Sequence, residues 1–321
     1  LPTTTFDPPH DVLECGSAWV LRSGIQESNG GVAGWYRWDL KENAPVSAGV
    51  TGYTLSGLHF VHQRTGNTDV LNAIERGARF LTGSSPGDFF DNGIAARGLL
   101  AAWRATRDGQ FLENAVARGR SMANGVAPGG CYQLKAALAW LELHEETGEQ
   151  RFRDAWEECL DYALAGQAWV LPGDSDHERV MDQLHAYCDF LEGLLPVLNR
   201  PRCLTVFGEG LDRASHFFRQ IAPVFLRSDV CAQLLRLRIY AASARALPLE
   251  PAVAMAEASA AASFRIASAD SRASGAFSFG RRQGALMPFA SPLSTLFCMQ
   301  ALELWTQSRQ EGFHADWRGL I

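Results

Sequence analysis

SAGVTGYTLSGLHFVHQRTG, residues 47–66, reads as one helix with both ends marked: a serine and glycines at the start, an apolar body, and Thr65-Gly66 as the stop. A second helical stretch, NTDVLNAIERGARFL (67–81), follows at once. Roughly forty residues on, the unit recurs as DNGIAARGLLAAWRATRDG (91–109) with QFLENAVARGRSM (110–122), and again as CYQLKAALAWLELHEETG (131–148) with EQRFRDAWEECLDYAL (149–164). Self-similarity at that period means stacked supersecondary units, here an array of helical hairpins.

The same periodicity extends in both directions. Helices are expected at 11–24, 47–65, 68–82, 91–107, 109–124, 131–147, 149–165, 181–198, 203–222, 229–246, 250–266 and 291–307. Those segments make six hairpins. The segments at 91–107, 131–147 and 291–307 are apolar nearly all round, whereas 68–82, 109–124 and 149–165 carry a single apolar stripe, as in Val70, Leu71, Ile74, Ala78 and Leu81. A helix that is apolar all round is buried and a striped one faces water, so inner and outer helices should alternate. Inner-to-outer links are short (Gly66-Asn67, Asp108-Gly109, Gly148, and Asn199 to Arg202), and outer-to-inner links are long (25–46, 83–90, 125–130, 166–180, 267–290). The long links therefore gather on one face, at the N-termini of the inner helices, and that face is the expected site. The last link alternates apolar residues around Arg281-Arg282-Gln283-Gly284 and should form a small β-hairpin. The fold class expected is all-α: six hairpins closed into an (α/α)6 toroid that occupies 1–321 as one domain.

NGGVAGWYRW (29–38), VTGYTLSGL (50–58), FFDNGIAARGLLAAW (89–103), LHAYCDFLEGLL (184–195) and SPLSTLFCMQALELW (291–305) resemble the (α/α)6-toroid, or six-hairpin glycosidase-like, superfamily, and within it an uncharacterised bacterial branch associated with polysaccharide biosynthesis. The resemblance covers nearly the whole chain and implies glycosidase, uronate epimerase, polysaccharide lyase or terpene cyclase chemistry. It supplies no catalytic signature. The acidic DxDD motif and QW repeats of toroidal terpene cyclases are missing, with only Asp174-Ser175-Asp176 present, and so is the RHxxGW pattern of N-acylglucosamine epimerase-like proteins.

A net charge of -6 with interspersed signs argues against nucleic acid or an anionic membrane as partner, and no apolar run approaches the roughly 18 residues of a membrane span. LPTTTFDPPH, at the start, has neither a basic nor an apolar leader region. Seven cysteines without CxxC or Cys/His spacing read as reduced, mostly core residues, which points to the cytoplasm. His59 and His62, without HExxH, read as two solvated histidines rather than metal ligands, and Gly129-Gly130 without a P-loop or GxGxxG does not make a nucleotide site, so no metal or cofactor is expected.

Candidate chemistry comes from the long-link face. Asp182, His185 and Asp189 stand at i, i+3 and i+7 on one helix face, where a histidine between carboxylates can act as acid or base. The competing account is a helix-dipole role for Asp182 and a core hydrogen bond for His185. Asp91 and Asn92 open an inner helix behind Phe89, with Asp91 either a rim carboxylate or the helix N-cap. Asp39 shares a link with Trp35 and Trp38, which could stack on sugar rings or only anchor the loop. Tyr132 and Trp169 join these aromatics on the same face. Glycoside hydrolysis needs two carboxyls about 5 Å apart for retention or roughly 6.5–9.5 Å for inversion. Asp39, Asp88, Asp91, Glu178 and Asp182 are the supply. Epimerisation or elimination at a uronic acid needs instead a base such as His185, Tyr53 or Tyr132 and a cation such as Arg281 or Arg282, for which a solvated hairpin tip is the stronger account. The expected partner is a polysaccharide or oligosaccharide, the expected activity hydrolysis ahead of epimerisation or elimination. A non-catalytic glycan-binding or scaffold protein is the alternative from a different class, and a terpenoid cyclase the third.

Overall fold

The computed structural model describes residues 6–8, 11–122, 130–166 and 176–321. Among them the chain forms twelve α-helices: α1 (Val12–Arg22), α2 (Ala48–Thr65), α3 (Thr68–Gly83), α4 (Phe89–Thr106), α5 (Gly109–Met122), α6 (Gln133–Thr147), α7 (Gln150–Gly166), α8 (His177–Leu194), α9 (Pro201–Ile221), α10 (Ser228–Ser243), α11 (Pro251–Ala262) and α12 (Pro292–Ser308). The even-numbered helices pack in sequence, α2 on α4, α4 on α6, and so on to α12, which returns to α2 and closes the ring. Each carries an outer partner, the last pair being α12 with α1 from the other end of the chain. None of these helices is long and apolar enough to cross a membrane.

The repeated short turns share one local device. Thr65, Thr106 and Thr147 each donate a hydroxyl to the carbonyl four residues back and accept the amide two residues on, from Asn67, Asp108 and Glu149. The residue after each threonine is left-handed: Gly66, Arg107 and Gly148, with φ of 62°, 62° and 71°. This satisfies carbonyls that a helix C-terminus would otherwise leave open. Inner helix starts are capped by side chains, Ser47 accepting from Val50, Asp88 from Asp91 and Ser291 from Ser294.

Two boundaries differ from the sequence expectation in ways that move candidate residues. α4 begins at Phe89 with Asp88 as its N-cap, so Asp91 lies inside the first turn and is not the cap. α8 begins at His177, about one turn earlier than the apolar pattern indicates, because Asp176 caps it and a polar first turn carries no hydrophobic signal. The 25–46 link is also more regular than a loop. β1 (Val32–Ala33) pairs with β4 (Val46–Ser47), and β2 (Tyr36–Arg37) lies between β3 (Glu42–Asn43) and β8 (Phe289–Ala290), all antiparallel. The expected hairpin in the last link is present as β6 (Gly280–Arg282) and β7 (Ala285–Leu286), turning at Gln283-Gly284, with β5 (Phe225–Arg227) added along its other edge.

Candidate functional site

The long-link ends of the inner helices frame a mouth, and α8 and α10 place its densest polar cluster there. His185, on α8, is partly exposed; its Nδ1 is 2.9 Å from Gln233 Oε1, and its ring lies 3.8 Å from both Asp189 and Asp229. Gln233 Nε2 donates to Asp189 at 2.9 Å, which turns its oxygen to His185. In neutral His185 the proton is therefore assigned to Nδ1, leaving Nε2 as the basic nitrogen. Asp229 opens α10 fully buried. Burial alone would raise its pKa, but the guanidinium of Arg227, bonded to both carboxylate oxygens, holds it at about 2. Arg227 also reaches Asp182 at 2.5 Å, so two carboxylates share one guanidinium.

Beneath this cluster the ring axis is filled by charge. Lys135 of α6, wholly buried, bonds Glu192 and lies 3.4 Å from Asp189. Burial pulls its pKa down against the attraction of those carboxylates, and pushes that of Asp189 up. Arg236 covers the other oxygen of Glu192 at 2.6 Å. Farther along, Arg97 bonds Glu142 at 2.7 Å, and Arg104 bonds it at 2.5 Å. Lys135, Glu142, Glu192, Gln233 and Arg236 were not among the sequence candidates. The available signal was a lone charge within an apolar run, as in CYQLKAALAW around Lys135.

On the α4 side, Asp91 is half-buried and its carboxylate makes no hydrogen bond or ion pair among the described residues. Its carboxylate lies against Gly49 at the start of α2, where a Cβ would come within 2.5 Å of Oδ1. Burial, with the Asp88 charge adding to it, raises its pKa, while Arg118 opposes. Beside it Phe90 meets Tyr132 with ring centroids 5.5 Å apart, both half-buried.

No protein-family model matches the chain, and no curated protein matches it in sequence. Among solved structures, unsaturated glucuronyl hydrolase from Streptococcus agalactiae superposes with a TM-score of 0.71 over 94% of this chain and 92% of that one, at 9% identity. The chain is an (α/α)6 toroid. A sugar epimerase from a ruminal bacterium (TM-score 0.62, 11% identity, covering 91% of the toroid and 98% of that chain) and a possible GH105 family member from Salmonella enterica serovar Paratyphi A (TM-score 0.62, 14% identity, 92% of each) share the architecture. One form of the streptococcal enzyme was solved complexed with dGlcA-GalNAc6S.

The toroid places the other sequence candidates unevenly. Asp182 is 64% exposed, and Asp39, also exposed, is clamped by Arg37, whose hydrogen bonds hold its carboxyl below the usual range. Tyr53 is buried, edge-on to Phe297, its hydroxyl shielded and without a partner, and burial raises its pKa well above the usual phenol range. Phe89 is a core residue stacked edge-on to Trp140, so the rim aromatic is its neighbour Phe90. Asn92 is buried too, its amide donating to the Gly87 carbonyl and its oxygen accepting from Gly87 and Arg118, so it pins the link before α4. Arg281 donates to the Ser263 carbonyl and lies over Phe264. Trp35 is 44% exposed and edge-on to Phe289, and Trp38 packs half-buried on the core. Trp169 lies outside the described residues. Among the described residues no group of three or more His, Cys, Asp or Glu has the arrangement of a metal site.

Proposed function

We propose that this toroid is a carbohydrate-active enzyme that hydrolyses a glycosidic bond at the long-link mouth, with Asp91 as general acid and His185 as general base. The observation that carries the reading is Asp91: a half-buried carboxyl with no cation bound to it and a raised pKa, at the rim of a ring-shaped fold. In the step envisaged, His185 Nε2 takes a proton from water as the water oxygen bonds the anomeric carbon, and Asp91 delivers its proton to the departing glycosidic oxygen. Gln233 and Asp189 fix the imidazole for that transfer. Hydrolase and epimerase activities on sugars among the structural neighbours support the substrate class.

Oligosaccharides incubated with the protein in ¹⁸O-water and read by mass spectrometry give the test. Cleavage with one ¹⁸O incorporated is expected, and Asp91→Asn and His185→Ala should each lower turnover at least about a hundredfold, the range of one lost acid or base. Both should leave the melting temperature within a few degrees. Wild-type rates in both variants would remove the two residues from the mechanism, and glycan binding with no turnover would make the protein a binding or scaffold module. The position of His185 between Asp189 and Asp229 favours a second reading, proton exchange at a sugar carbon. Its mark is deuterium uptake from ²H₂O without cleavage.

A further inference from the structure

The geometry points to a second ligand site at the end of the ring away from the mouth: a cavity that takes a small oxyanion, a phosphate or carboxylate group carried on an organic molecule. The cavity, of about 410 Å³, opens among the C-terminal ends of α2, α4, α6 and α10, with Gly319 and Leu320 in its wall. That volume lies in the range of small-molecule sites, roughly 300–1,000 Å³. None of the mouth residues Asp91, His185, Asp229 or Gln233 lines it.

Tyr240 of α10 carries the argument. Only 3% of it is exposed, it lines the cavity, and its hydroxyl has no hydrogen-bond partner among the described residues. A buried hydroxyl left unpaired is costly, and an acceptor on a ligand in the cavity would satisfy it. His59 lines the same cavity with its Nδ1 shielded and unpaired, so its proton placed on Nε2 makes a second donor. Exposed Arg64 adds the charge. Its guanidinium lies over the Phe60 ring, 3.5 Å from the centroid, and spends Nη1 on the Phe60 carbonyl at 3.1 Å and Nη2 on Gln307 Oε1 at 3.4 Å, with no ion pair among the described residues. Those contacts hold the group in place and leave further N–H groups to offer.

The carboxylates that line the cavity are, by contrast, already engaged. Glu142 is bonded by Arg97 and Arg104, Glu146 by Arg104, and Glu145 and Asp316 by Arg318. What stays unmatched is a set of donors with a positive charge beside them, and an oxyanion brings both the acceptors and the charge to meet it.

Calorimetric titration of the intact protein with glucose 6-phosphate, glucuronate and glucose tests this, the first two separating a phosphate source from a carboxylate one. At least one of the two anions should bind with a Kd about tenfold or more below that of glucose, and Tyr240→Phe and Arg64→Gln should each raise that Kd at least about fivefold, the scale of one hydrogen bond to a charged group. Tyr240→Phe removes a single oxygen, so it should melt within a few degrees of wild type, and its titration decides the matter even where Arg64→Gln fails to fold. An anion held elsewhere, the mouth included, would leave the Kd unchanged in Tyr240→Phe and overturn the site. Equal affinity for glucose, or no binding of either anion at millimolar concentration, would overturn it as well.

Discussion

His59 stands on α2 near the short-link end of the ring, where its Nδ1 is shielded and has no partner. The sequence reading of a solvated histidine is corrected here: the ring is half-buried, and burial, helped by Arg104 and His62, lowers its pKa from 6.5 to about 4. Between those values the unfolded chain binds a proton that the folded one refuses, so stability falls as pH drops from about 6.5 toward 4. His59→Gln should flatten that part of the melting-temperature profile, and an equally steep fall in the variant would place the acid sensitivity elsewhere. His185 was legible from its spacing to Asp182 and Asp189, because i, i+3 and i+7 positions share a face. Gln233 and Asp229 were not, since they arrive from a different helix and local periodicity says nothing about which side chains meet across a ring. Phe89 and Phe90 show the same limit: adjacent residues on one turn point about 100° apart, and only packing reveals which one faces the mouth.

At the scale of elements, α2 and α4 are drawn together by glycine. A Cβ at Gly98 would stand 2.7 Å from the Gly52 backbone, and one at Gly52 would stand 2.6 Å from the Ile94 carbonyl oxygen. Gly98→Ala must push the two helices apart, at a cost on the order of 1–3 kcal/mol for overpacking. Urea unfolding should show a lower midpoint, and because α4 carries Asp91 the variant should also lose turnover; an unchanged midpoint would mean the ring absorbs the methyl by local adjustment. Helix number, order and inner-outer alternation were legible because 3.6-residue periodicity and the Thr-Gly stops are local signals. The strands of the 25–46 link were not, because each is two residues long and β2 pairs with β8, far away in sequence. Apolar-all-round helices proved a partial truth: α6 is buried along its ring face, yet Lys135 and Glu142 are buried with it.

Across the whole molecule, one line of ion pairs and polar contacts runs through the hole of the ring, from His185 and Asp189 past Lys135, Glu192 and Arg236 to Gln300. Arg236→Met would leave Glu192 half-paired and Gln300 without its guanidinium partner, and breaking a buried pair in this way costs about 3–5 kcal/mol. Chemical denaturation should register that loss; a stability within 1 kcal/mol or so of wild type would mean that Lys135 alone satisfies Glu192. At the far end the line meets residues 319–321. Arg97 donates to the Leu320 carbonyl at 2.7 Å, Gln300 donates to that of Gly319 at 2.6 Å, and Leu320 and Ile321 are both buried. The doughnut is thus stoppered. A ligand seated at the mouth would find no passage through the ring, like a cord meeting a blind bead, and would leave by the door through which it entered.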